Sequence, residues 1–64
     1  STRDIPVSPY ARGAQVEVNY KDKWYPATVL ETYGELTQAH YDNYTSAWDE
    51  WFTPDRVRPR QASK

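Results

Sequence analysis

The sequence predicts an all-β domain, a small five-stranded antiparallel barrel. Three observations carry this expectation. Short segments alternate apolar and polar residues with a period of two, as a half-buried strand must. Glycine, proline, asparagine and aspartate punctuate the chain between those segments, and no stretch keeps a helical period long enough for a useful helix. The apolar inventory is rich in aromatics and poor in leucine: six tyrosines, three tryptophans and one phenylalanine stand against one isoleucine, two leucines and five valines. Helical bundles need leucine-rich stripes, whereas a small aliphatic core capped by rings suits a little barrel. Curling the sheet also hides its edges, which a domain this small needs.

Each element follows from local chemistry. Ser1 to Arg12 holds two prolines among polar residues and reads as an extended lead-in, with Tyr10 able to fold back onto the domain. From Gly13 to Tyr20, Ala14, Val16, Val18 and Tyr20 face one way and Gln15, Glu17 and Asn19 the other, so this is the first strand. Lys21-Asp22-Lys23 is a polar hairpin tip. Trp24 to Thr32 is the second strand, with Tyr25, Ala27 and Val29 on one face and Trp24, Thr28 and Leu30 on the other. Pro26 sits near its start, where a missing donor does least harm. Tyr33-Gly34-Glu35 is a turn in which glycine supplies a positive φ.

Leu36 to Tyr41 is the third strand, Asp42 to Ala47 a polar loop, and Trp48 to Thr53 the fourth strand. Pro54-Asp55-Arg56 reads as a single 3-10 turn before the last strand, with Thr53 as its cap and proline at its first position. Val57-Arg58-Pro59 closes the sheet, and Gln61 to Lys64 is a polar tail. The expected organisation is therefore a lead-in over 1–12, one domain over 13–60 and a tail over 61–64. Linker-like composition at both ends fits a module within a larger protein, with a neighbouring domain as one partner.

Composition excludes several function classes. There is no cysteine and one histidine, His40, so neither a cysteine-based zinc site nor a multi-histidine metal site is available. No cofactor is expected. Eight basic and nine acidic residues leave the chain near neutrality, which weighs against a dedicated nucleic-acid binder. No apolar run is long enough to span a membrane, and the chain reads as soluble and intracellular. Catalysis is disfavoured too. The chain offers no cysteine nucleophile, no second histidine and no phosphate loop. The adjacent acids Asp49 and Glu50 point to opposite faces of a strand and cannot flank one substrate. A non-enzymatic binding module is the expectation.

Three stretches carry a resemblance that spans Gly13 to Pro59, roughly three quarters of the chain. Lys23-Trp24-Tyr25-Pro26-Ala27-Thr28-Val29 leads from a short loop through an aromatic pair into a small-residue strand. His40-Tyr41-Asp42-Asn43-Tyr44 holds two tyrosines separated by two polar residues. Trp48-Asp49-Glu50-Trp51 is followed by Pro54, Arg56 and Val57-Arg58-Pro59. In order and spacing these resemble the Royal superfamily of SH3-like barrels. The closest patterns are chromo barrels of the MRG type and Tudor domains that adjoin plant-homeodomain fingers. The resemblance implies an SH3-like Tudor/chromo barrel, a nuclear location, and recognition of a methylated peptide, above all a histone tail.

Carried across residue by residue, the resemblance implies an aromatic cage of Tyr25, Tyr41, Tyr44 and Trp48, with Tyr20 as a fifth wall. A methylated ammonium keeps its charge but loses donors, so ring faces attract it where carboxylate pairing serves less well; each desolvated contact is worth up to about 2 kcal/mol. The ends of strands in a small barrel meet at one rim, where such barrels bind ligands. Asp42, beside Tyr41, is the selectivity candidate: an acid there accepts the remaining N–H of a mono- or dimethyl group. Asp49 and Glu50 read as solvated strand residues, or as charges that attract a basic peptide.

Competing readings attach to the same residues. Trp51 and Phe52 are assigned to the core, Trp24 to surface packing against the hairpin, and His40 to a neutral packed or surface role. Tyr25 and Tyr44 read equally well as cross-strand partners. Arg56, Arg58 and Arg60 form the basic cluster, read first as a solvated end and otherwise as a phosphate-contacting strip. The alternatives to a methyl-lysine reader are a methyl-arginine reader, a nucleic-acid-binding barrel that stacks bases on the rings, and a protein-interaction barrel indifferent to modification.

Overall fold

A computed structural model of the chain describes residues 7–60. Residues 1–6 of the expected lead-in and the polar tail expected at 61–64 lie outside the described residues. Five strands form one antiparallel sheet: β1 (Gln15–Tyr20), β2 (Lys23–Tyr33), β3 (Leu36–Tyr41), β4 (Glu50–Phe52) and β5 (Val57–Pro59). Their order across the sheet is β4-β3-β2-β1-β5. Every strand sends residues into a single core of Val16, Val18, Ala27, Val29, Ala39, Tyr41, Phe52 and Val57. One shared core for both edge strands gives the sheet a barrel-like curl. The barrel is not closed, because β4 and β5 stand at opposite ends of the sheet order.

The expected faces hold. Val16 and Val18 on β1, and Ala27 and Val29 on β2, are buried, while their sequence neighbours are not. Fully burying a valine or phenylalanine side chain contributes about 1.5–3 kcal/mol, so Phe52 and the core valines dominate the stabilising side of the balance. Leu30 occupies a bulge between the pairs Val29↔Ala39 and Glu31↔Gln38. The bulge exchanges the faces of β2 beyond it, so that Thr32 opposes the buried Thr37.

Both hairpin turns have two central residues. Tyr20 pairs with Lys23 around Lys21 (φ 52) and Asp22 (φ 68), the two positive φ values of a type I′ turn. Tyr33 pairs with Leu36 around Gly34 (φ 58), where glycine avoids the strain a side chain would bring.

Three expectations are corrected. The fourth strand was expected over Trp48 to Thr53; only Glu50–Phe52 pairs, against Thr37–Ala39. Ser46–Trp48 forms a 3-10 turn, with Trp48 N–H donating to the Thr45 carbonyl and Asp49 N–H to the Ser46 carbonyl. The second 3-10 turn, Pro54–Arg56, lies where expected, but Thr53 does not cap it through its side chain. Its hydroxyl donates to the Asp55 carboxylate at 2.6 Å, which holds the Asp55 carboxyl below its usual range. Trp51 is not in the core; it is 44% exposed, because alternation on β4 sends Phe52 inward and Trp51 outward.

The described part of the lead-in folds back onto the domain, as was open to Tyr10. Ser8 N–H donates to the Gly34 carbonyl at 2.7 Å, and the Ser8 and Thr37 hydroxyls bond at 2.7 Å. Tyr10 and Ala14 pack against the core from the same segment. This segment covers the end of the barrel away from the β1–β2 turn.

Candidate functional site

Alternation and antiparallel pairing place three rings at one rim. Tyr20 is the last inward residue of β1, Tyr25 the first of β2 and Tyr41 the last of β3. Because neighbouring strands run in opposite directions, those three positions lie at the same end of the sheet. Tyr44, in the loop after β3, and Trp48, in the 3-10 turn, join them. The five side chains line one cleft of about 150 Å³. All five residues expected at the cage are therefore brought together.

The rings stand at steep angles. Tyr25 and Tyr41 are 5.9 Å apart at 82°, Tyr41 and Tyr44 are 5.8 Å apart at 87°, and Tyr44 and Trp48 are 6.3 Å apart at 57°. Tyr41 is the hub, also edge-on to Phe52 at 6.1 Å, and is only 5% exposed. Tyr41 thus lies both in the core and in the wall of the cleft. Tyr44 and Trp48 are 52% and 54% exposed, so their faces are open to a ligand. The chain's own Lys21 ammonium already lies 5.4 Å from the Tyr20 ring centroid.

The Tyr41 hydroxyl is buried with no hydrogen-bond partner among the described residues. Burial, reinforced by the Glu50 carboxylate, pushes its pKa up to about 12. It therefore stays a neutral phenol near neutral pH. Glu50 itself lies 3.9 Å from Arg56.

Asp42 does not line the cleft. Its carboxylate accepts from the Thr28 hydroxyl at 2.9 Å and from Arg60 Nη2 at 2.9 Å. Adjacent residues at the end of a strand point to opposite faces, so the acid next to Tyr41 in sequence is turned from it in space. Asp42 anchors the loop that carries Tyr44 and Trp48.

The three arginines are tied to the sheet, although Arg58 remains exposed. Arg56 donates to the Asn19 carbonyl at 2.9 and 3.1 Å, and its guanidinium carbon lies 4.9 Å from the Phe52 ring centroid. Arg58 donates to Glu17 at 2.7 Å and covers the Trp24 ring at 4.1 Å, so Trp24 packs on the outer surface as expected. Arg60 reaches the Val16 and Ala27 carbonyls as well as Asp42, which ties β1 and β2 to the loop. A phosphate would have to compete with these partners.

Sequence reasoning missed the pair formed by His40 and Asp49, whose Nδ1 and Oδ1 are 2.7 Å apart. Asp49 is thereby a partly buried partner and not a solvated residue, its side chain only 18% exposed. The legible signal was weak: a lone histidine on one expected strand and an acid on the next, nine residues apart. Among the described residues no cluster of three histidine, cysteine or acidic side chains could hold a metal, and no helix is long and apolar enough to cross a membrane.

No protein-family model matches the chain, and searches of curated proteins and of solved structures find no match.

Proposed function

We propose that the domain is a non-catalytic reader of methylated lysine, a Tudor/chromo-type barrel that encloses the methylammonium between Tyr20, Tyr25, Tyr41, Tyr44 and Trp48. The angular arrangement of the rings carries this reading. Among the described ring pairs of the cleft none is parallel: the angles are 82°, 87° and 57°. Rings set around a point suit a compact, roughly spherical cation, whose methyls pack on the faces while its charge meets the ring quadrupoles. A flat methylated guanidinium is better served by a slot between parallel rings, so the geometry favours lysine over arginine.

The partner this reading implies is a methylated peptide, with a histone tail and a nuclear setting as the natural case. The open cleft suits a side chain presented by an extended peptide. Half-exposed Tyr44 and Trp48 give it entry from solvent without a lid.

The test is an NMR titration of the labelled domain with lysine and its mono-, di- and trimethyl forms, free and in peptides. The expected result is shifts confined to the five ring residues and growing with methyl count. Shifts with methylated arginine alone would replace the reading with the flat-cation one. Equal responses to unmodified and methylated peptides would leave a modification-independent interaction module.

A further inference from the structure

Two of the five cage rings, Tyr44 and Trp48, are carried by the segment between β3 and β4 and not by a strand. Its backbone bonds at the Trp48 end are local: Trp48 to Thr45 and Asp49 to Ser46. Neither bond holds the turn against the sheet. Trp48 is 54% exposed and its nearest ring in the cleft is Tyr44, at 6.3 Å and tilted. Packing alone therefore constrains the indole weakly.

The β3–β4 register explains what does constrain it. The ladder pairs Thr37 with Phe52, Gln38 with Trp51 and Ala39 with Glu50, then stops. One step further the register would set His40 opposite Asp49, and one step beyond that Tyr41 opposite Trp48. The backbone leaves the ladder at this point, but the side chains continue it. His40 and Asp49 meet at 2.7 Å on the outward face. An ionised carboxylate only accepts, so the imidazole Nδ1 carries the proton and donates. The next residue pair, on the inward face, is the cage hub and the indole.

We propose that His40 and Asp49 are positioning residues for the cage: their hydrogen bond replaces the missing rung of the ladder and holds the Trp48 end of the loop against the sheet, beside Tyr44. Asp42 performs the same task at the other end of the loop through Thr28 and Arg60. The loop that carries two cage walls is thus tied to the sheet by a carboxylate at each end. The consequence for binding rests on the reader function proposed above; the positioning itself does not.

The experiment reads the two separately. Nuclear Overhauser contacts between the Trp48 indole and the Tyr44 ring are measured in the ligand-free domain, followed by a trimethyl-lysine titration. His40→Ala is expected to weaken those contacts and to lower trimethyl-lysine affinity by about fivefold, the weight of one ordinary hydrogen bond. His40→Asn, whose side-chain amide offers a donor close to the Nδ1 position, is expected to restore both. Asp49→Ala reports on the same bond from its other side, and combined with His40→Ala it should add nothing further. Unchanged indole contacts and affinity in both alanine variants would overturn the proposal. So would a fall in unfolding temperature with the ring contacts intact, because that marks the pair as structural only. Contacts that disappear in the alanine variants while the parent domain binds no methyl-lysine would uphold the positioning and reject the reader function.

Discussion

The two ends of this small barrel are built from similar residues and treated differently. At one end Tyr10 lies over the core, and Ser8 closes onto Thr37 and Gly34 through two bonds of 2.7 Å. At the other, five rings stand around a cleft of about 150 Å³, and the outermost two are half exposed. Covering a core with an aromatic ring stabilises a domain that has little interior. Leaving rings uncovered forgoes that stabilisation and exposes apolar surface, which on a small domain points to an interaction site. The difference teaches where to look for stability and where to look for binding.

Tyr41 belongs to both roles, and its replacement gives the largest effect. Tyr41→Ala is expected to cost about 3–5 kcal/mol of stability, as for other buried aromatic residues, read by urea unfolding. Tyr41→Phe should instead be neutral or slightly stabilising, because the hydroxyl it removes is buried without a partner. A marked loss from Tyr41→Phe would mean that the hydroxyl is satisfied in solution.

The two ends should then separate cleanly. Tyr10→Ala, at the covered end, is expected to lower stability by about 2 kcal/mol through lost packing and to leave methyl-lysine affinity unchanged. Trp48→Ala, at the open rim, should move stability by less than about 0.5 kcal/mol and weaken methyl-lysine binding by at least about tenfold. Calorimetric unfolding paired with the titration checks both. Similar effects of the two substitutions on both readouts would dissolve the distinction.

Alkaline pH gives a smaller and independent test. The Tyr41 pKa is raised from 10.0 to about 12 by burial first and the Glu50 carboxylate second. The protonated phenol is thus favoured by the fold. Its contribution is complete below pH 10 and disappears as pH rises from about 10 to about 12, amounting to at most about 3 kcal/mol. Phenolate absorbance should show a component that ionises near pH 12 and moves down on unfolding. The smallest effect belongs to the turn beside the open rim. Lys21 and Asp22 both hold positive φ without being glycine. Replacing them together with Asn-Gly should stabilise the domain by about 0.5–1 kcal/mol.

What could be read from the chain was what depends on neighbours in sequence. The period of two in β1, and in β2 as far as Val29, determined which residues face inward. Antiparallel pairing then made the meeting of Tyr20, Tyr25 and Tyr41 at one rim a consequence of parity. The turn residues Lys21-Asp22 and Gly34-Glu35 and the 3-10 turn before β5 were legible for the same local reason.

Only the tertiary structure decided the rest. Trp51 and Phe52 are adjacent and both aromatic, so local chemistry does not say which faces in; the register of the short strand β4 against β3 does. Asp42 stands next to Tyr41 in the chain, yet its partners are Thr28 and Arg60, 14 and 18 residues away. The same holds for Arg56 on Asn19, Arg58 on Glu17 and Arg60 on Ala27, contacts that span 33 to 41 residues. Long charged side chains have many rotamers and no preferred partner until the strands that carry the acceptors are side by side. Sequence periodicity states the direction in which a short side chain points. Which atoms a long one reaches is settled only when the sheet has curled around its core.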